Sequence, residues 1–135
     1  MTTPTDDAHL SVQHTSGPLA VAVVTGAMER HTASAVRSTA LDVINQGQPH
    51  LILDLTGVTF CDSSGLSALI GIWHGANDAD GSLALAAVPA RLMRILTLTG
   101  VDTLMPIHAT PADALAAHRA TRRTGGGEKA LPRTL

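Results

Sequence analysis

Two adjacent hydroxyls, Ser63 and Ser64, stand between Asp62 and Gly65 in the run Leu51-Ile-Leu-Asp-Leu-Thr-Gly-Val-Thr-Phe-Cys-Asp-Ser-Ser-Gly-Leu66. The run reads as a buried strand, a short turn and the start of a helix. A serine at a helix start is exposed on a rigid frame, among backbone N–H groups that have no intrahelical partner. That environment suits a side chain touched by another protein, or one that carries a phosphate. A phosphate would add about −1.5 to −2 charges and three acceptor oxygens. The helix dipole would favour it by about 0.3–1 kcal/mol, so the fold should tolerate it while an acidic or closely packed partner should not. The plain alternative, that Ser63 and Ser64 are only first-turn helix residues, stays open on the residues alone.

Other chemistries fit less well. A nucleophile elbow needs glycine two residues before and two after the serine. Ser63 has Cys61 and Gly65 at those places, and Ser64 has Asp62 and Leu66. A phosphate-binding loop needs several glycines and a lysine, yet residues 57–66 hold two glycines and the chain has no lysine before residue 119. The seven histidines are scattered without metal-ligand spacing. Cys61 reads as a small buried residue at a strand end rather than a reactive thiol. No catalytic constellation, metal site or cofactor is expected.

These residues must be positioned by one domain, because 135 residues leave little room for a second. Hydrophobic residues are 44% and charged residues 15% of the chain, enough for a core built from Ala, Val, Leu and Ile. One Phe, one Trp and no Tyr leave no platform for stacking bases. Residues 1–118 carry four basic and ten acidic groups, whereas residues 119–135 carry five basic groups and one acidic. An acidic body argues against nucleic acid as a partner. The N-terminus lacks the basic and apolar parts of a secretion signal. The apolar stretch 83–98 is broken by Pro89, Arg91 and Arg94, so no membrane insertion is expected and the cytoplasm is the expected compartment.

Residues 1–9 read as a flexible arm, 10–118 as the domain and 119–135 as a flexible basic tail. Within the domain, 10–14 and 19–25 predict two strands joined at Gly17-Pro18. Thr32 is placed to cap a helix running to about Gln46, with Val36, Ala40, Val43 and Ile44 on one face. A strand follows over 50–55. The next helix starts at Ser63 with Asp62 as N-cap, and Leu66, Leu69, Ile70 and Trp73 form its apolar face. Residues 82–88 predict a strand, 89–100 a helix with Leu92, Met93 and Leu96 inward, and 105–108 a short edge strand. Thr110 caps a last helix ending near 118–121, before Gly125-Gly-Gly127. The order β-β-α-β-α-β-α-(β)-α predicts an α/β fold, a mixed sheet with helices packed on it.

Asp62-Ser-Ser-Gly-Leu66 after a hydrophobic strand resembles the phosphorylation turn of the STAS domain of bacterial anti-sigma factor antagonists, of the SpoIIAA and RsbV type. The likeness extends upstream to Thr25-Gly26, Glu29 and Thr32, which resemble the family's Gly-x-x-Asp segment and the helix it begins. Downstream it extends to Val88-Pro89, Arg94, Leu98-Thr-Gly-Val101 and Leu104. The resemblance implies a mixed sheet of four to five strands with about four helices. It implies that Ser63 is phosphorylated by an anti-sigma factor serine kinase, which supplies ATP and magnesium, and dephosphorylated by a PP2C-type phosphatase. The unphosphorylated chain would bind the anti-sigma factor and free the sigma factor through Glu29, Arg30, Thr32, Asp62, Ser63, Ser64, Gly65 and Leu66, with the exposed side of the helices starting at Ser63 and Pro89 as the partner surface. Glu29 departs from the family's usual Asp, and its extra methylene moves the carboxylate outward. The family also holds unphosphorylated scaffold modules of transporters and larger signalling complexes, and that reading is the alternative.

Overall fold

The computed structural model describes residues 8–128, with side chains described through residue 120. Its strands are β1 (His9–Ser16), β2 (Leu19–Met28), β3 (His50–Cys61), β4 (Ser82–Ala86) and β5 (Ile107–His108). Its helices are α1 (Arg30–Asn45), α2 (Ser63–Asp78), α3 (Ala90–Thr99) and α4 (Pro111–Glu128), with a 3-10 turn at Val101–Thr103. The expected element order is the observed one. The strands lie in the order β1-β2-β3-β4-β5; β1 is antiparallel to β2 and every other neighbouring pair is parallel.

This order explains the layers. Three successive crossovers, β2-α1-β3, β3-α2-β4 and β4-α3-β5, step the same way across the sheet. Crossovers of one hand stepping one way put their helices on one face. The alternate residues Ala20, Ala22, Val24, Leu51, Leu53, Leu55, Leu83 and Leu85 build the main core with those helices. The opposite residues Leu19, Val21, Ile52 and Ala86 form a smaller core with Ala114 of α4.

Several expectations need correction. The strand expected over 50–55 runs on to Cys61, so the short turn expected before the helix shrinks to Asp62. β3 takes in an extra residue between the pairs Val23↔Asp54 and Thr25↔Gly57. Asp54 Oδ1 holds this irregularity by accepting from the Thr56 N–H at 2.9 Å and the Thr56 hydroxyl at 2.7 Å. Gly57 keeps the strands close, since a Cβ there would stand 2.7 Å from Thr25 Cγ2. The first helix starts two residues before Thr32, with Glu29 as N-cap. The apolar face of α2 is turned by about one residue: Gly65, Ala68, Leu69, Ile72 and Ala76 are buried, while Leu66, Ile70 and Trp73 flank the core half-buried. Small residues allow that turn, because Gly71 and Gly75 of α2 meet Arg37 and Leu41 of α1.

Met93 is half-buried beside fully buried Leu92 and Leu96. At the N-terminus, Ala8 is buried and His9 pairs with Thr25, so both belong to the body rather than to an arm. Residues 1–7 lie outside the described residues. Thr110 caps α4 as expected, its Oγ1 accepting from the Asp113 N–H at 3.0 Å. The helix then continues through residues 119–128, which were expected to begin the tail. Once nucleated, a helix gains a backbone bond for each residue added, and the Ala- and Arg-containing run before Gly125 allows that growth. Residues 129–135 lie outside the described residues.

Candidate functional site

The parallel strands β2 and β3 end side by side, with Met28 paired to Cys61. The Asp62 N–H donates to the Met28 carbonyl at 3.3 Å, tying the two ends together. Each strand launches a helix one residue past that pairing, so the starts of α1 and α2 are neighbours. Glu29 and Arg30 are thereby brought beside Asp62 and Ser63, although some thirty residues separate them in sequence. The resemblance puts these residues in one candidate surface, and the fold gathers their backbones at one end of the sheet.

At the α2 start, Asp62 has extended backbone and acts as the expected N-cap. Its Oδ1 accepts from the Ser64 N–H at 2.8 Å and the Gly65 N–H at 3.2 Å. Two of the orphan donors of the first turn are thus satisfied. Ser63 is the first residue of α2 and is exposed. Among the described residues its hydroxyl has no hydrogen-bond partner. Ser64, one position on, is half-buried. Exposure therefore favours Ser63 over Ser64 as the hydroxyl that another molecule reaches.

At the α1 start, the residue types of the usual capping box are exchanged. The Glu29 N–H donates to Thr32 Oγ1 at 2.9 Å, and the Thr32 hydroxyl donates to the Ala27 carbonyl at 2.6 Å. Thr32 therefore locks the exit of β2 onto the helix from its third position, instead of capping it from outside. With its hydroxyl already engaged and half-buried, Thr32 positions Glu29 and Arg30, which are both exposed. Gly65 is likewise buried and structural. A Cβ there would meet Cys61 Sγ and would stand 3.0 Å from both Met28 Cβ and the Met28 carbonyl oxygen. Only a glycine lets the first turn of α2 sit this close to the strand ends. Leu66 lies half-buried on the flank of the core.

Cys61 is buried behind the turn, as its sequence context suggested. Burial first, and the neighbouring Asp62 carboxylate second, together push its thiol pKa up to about 11. It is held in the protonated form and is a poor nucleophile near neutral pH. Among the described residues no cluster of His, Cys, Asp or Glu could hold a metal ion.

The helix after Pro89 was expected to share the partner surface, but the groove that it forms with the end of β3, and Phe60 on it, were not. A shallow groove beside the turn is lined by Val58, Phe60, Cys61, Arg91, Leu92 and Ile95, among others. Phe60, the sole phenylalanine, is 48% exposed on its rim. The available signal was a large aromatic two residues before the cap, where β3 alternation no longer assigns it to the core.

The STAS domain family model matches residues 9–114. The chain belongs to the STAS domain family. The STAS match covers both strand ends, both helix starts and the groove. The chain is 31% identical over 107 residues to an anti-sigma F factor antagonist of Paenibacillus polymyxa, covering 78% of this chain and 91% of that one. Its fold is similar to an anti-sigma factor antagonist from Mycobacterium paratuberculosis, with TM-score 0.75, 29% identity, and coverage of 87% of this chain and 99% of that one. It is also similar in fold to unphosphorylated SpoIIAA, with TM-score 0.71, 19% identity, and coverage of 83% and 97%. No helix among the described residues is long and apolar enough to cross a membrane.

Proposed function

We propose that this STAS domain is an anti-sigma factor antagonist whose binding surface is switched by phosphorylation of Ser63. The unmodified chain binds an anti-sigma factor kinase and releases the sigma factor that the kinase held. The kinase transfers the γ-phosphoryl group of ATP to Ser63 Oγ, with the hydroxyl proton passing to a kinase base and ADP leaving. A PP2C-type phosphatase hydrolyses the phosphoserine and restores binding. The chain needs no catalytic group or cofactor of its own, in keeping with relatives that carry regulatory names.

The observation that carries this reading is the placement of Ser63. It is exposed and unengaged, at the first position of a helix whose cap is already made by Asp62. A phosphate on Oγ would gain from the helix dipole and from first-turn N–H groups without displacing the cap. The fold is then indifferent to the modification and the readout must be binding. The partner surface comprises Glu29, Arg30, Asp62, Ser63, Ser64 and Leu66, with Thr32 and Gly65 shaping it from beneath.

The test uses wild-type, Ser63→Ala and Ser63→Asp baits in lysate of the native cell, with the purified captured kinase then used for labelling. A kinase-fold anti-sigma factor should be held by the first two and lost by the third. It should label wild type at Ser63 and leave Ser63→Ala unlabelled. Capture of the same partners on all three baits would refute the switch and leave a constitutive scaffold.

A further inference from the structure

The groove beside Ser63 points to the chemistry of the partner. Val58, Cys61, Leu92 and Ile95 give it apolar walls, and Phe60 stands half-exposed on its rim. On α3, Arg91, Ile95 and Leu98 recur at i, i+4 and i+7, so they share one face. Leu98 is 78% exposed, which extends the apolar strip beyond the groove. Arg91 lines the groove and Arg94 lies one residue from Ile95. They are two of only four basic residues before residue 119, on a body with ten acidic ones. An acidic partner would be repelled by most of this body and drawn to this rim.

We propose that the groove seats an apolar side chain flanked by a carboxylate, carried by the same kinase that modifies Ser63. The proposal rests on the switch reading above and names what that switch acts upon. Cys61 closes the groove only two residues before Ser63, at most about 7 Å of chain. The Debye length at physiological ionic strength is about 8 Å. A phosphate on Ser63 therefore stands about one Debye length from the near wall of the groove and adds negative charge at its edge. One acidic partner segment is held by Arg91 when Ser63 is bare and repelled when it is phosphorylated. Repulsion then switches binding with no change of fold.

The test is calorimetric binding of the purified kinase that labels Ser63, in low and high salt, to wild-type, Phe60→Ala, Arg91→Glu, Ser63→Asp and Arg119→Glu chains. Arg119 is exposed on α4, away from the groove, and is the charge control. Unchanged thermal midpoints of the variants establish that each is folded. Phe60→Ala should weaken binding by about tenfold or more, as loss of an aromatic anchor does, and Arg91→Glu, which turns attraction into repulsion, by a similar factor at low salt. The Arg91→Glu and Ser63→Asp losses should both shrink as salt rises from about 50 mM to about 500 mM, whereas the Phe60→Ala loss should persist. Arg119→Glu should bind like wild type.

Wild-type binding by both Phe60→Ala and Arg91→Glu would overturn the groove, even where Ser63→Asp still abolishes binding and the switch survives. A salt-independent Arg91→Glu loss would overturn the carboxylate. Should light scattering show a wild-type dimer that Phe60→Ala dissociates, the occupant is a second copy and the inference fails. If no kinase labels Ser63, the switch itself fails and the inference falls with it.

Discussion

Removing the Asp62 side chain should loosen the turn that presents Ser63. Asp62 Oδ1 satisfies two first-turn donors, at 2.8 Å and 3.2 Å, and the carboxylate is half-buried at the helix N-terminus. Truncating an N-cap to alanine costs about 1 kcal/mol, within a range of about 0.5–2. The carboxylate charge at that position contributes about 0.3–1 kcal/mol. Asp62→Ala should therefore destabilise the domain by about 1–2 kcal/mol. Asp62→Asn keeps the acceptor and loses only the charge, so it should fall by about 0.3–1 kcal/mol. With a urea dependence of about 2 kcal/mol per molar, Asp62→Ala should lower the midpoint by roughly 0.5–1 M. Trp73 is the sole tryptophan, half-buried on α2 against the core, so its fluorescence follows the element in question. Urea unfolding monitored by Trp73 should rank wild type above Asn above Ala. A midpoint for Asp62→Ala equal to wild type would refute the capping role. Equal losses for Asn and Ala would show that charge, not the acceptor, carries the effect.

Three further outcomes follow from the same geometry. Gly65→Ala should destabilise the domain by about 1–3 kcal/mol, because the methyl group meets Cys61 and the Met28 backbone; unchanged urea stability would mean the strand ends yield easily. Gly57→Ala should be destabilising for a different neighbour, Thr25 Cγ2, and a second change, Thr25→Ser, should recover part of the loss; additive losses in that double-mutant cycle would refute the contact. The Cys61 thiol should react slowly with a disulfide reagent in the native state at pH 8 and faster in urea. Its native pKa is raised to about 11 from an ordinary value of 9.0, so its contribution to stability is full below about pH 9 and is lost as pH rises through 11. Asp62→Asn should lower that native pKa, since the carboxylate raises it, and a rate profile unmoved by Asp62→Asn would rule out that coupling.

The sequence by itself determined the element order and the main burial pattern. Period and punctuation did this: Val36, Ala40, Val43 and Ile44 recur on one helical face and all are buried, and Leu51, Leu53 and Leu55 alternate as one face of a strand. The Asp62 cap was legible for the same reason, since capping is chemistry between residues two and three apart. Contacts across the chain were not legible. The strand expected to stop at Leu55 runs on through Gly57, where the nearby Thr25 leaves room only for a residue without a side chain. The inward face of α2 is turned from the hydrophobic stripe because Gly71 and Gly75 meet Arg37 and Leu41 on another helix. Thr32 looks like a cap from its type alone, but the carbonyl of Ala27 decides its role. The site itself divides in the same way. Local sequence places Ser63 at a helix start, while only the pairing of Met28 with Cys61 brings Glu29 and Arg30 beside it, and only the packing of α3 sets Arg91 and Ile95 against Phe60. Residues within a few positions interact through the backbone period that the sequence already carries, whereas the meeting of distant segments depends on which surfaces the whole core brings together.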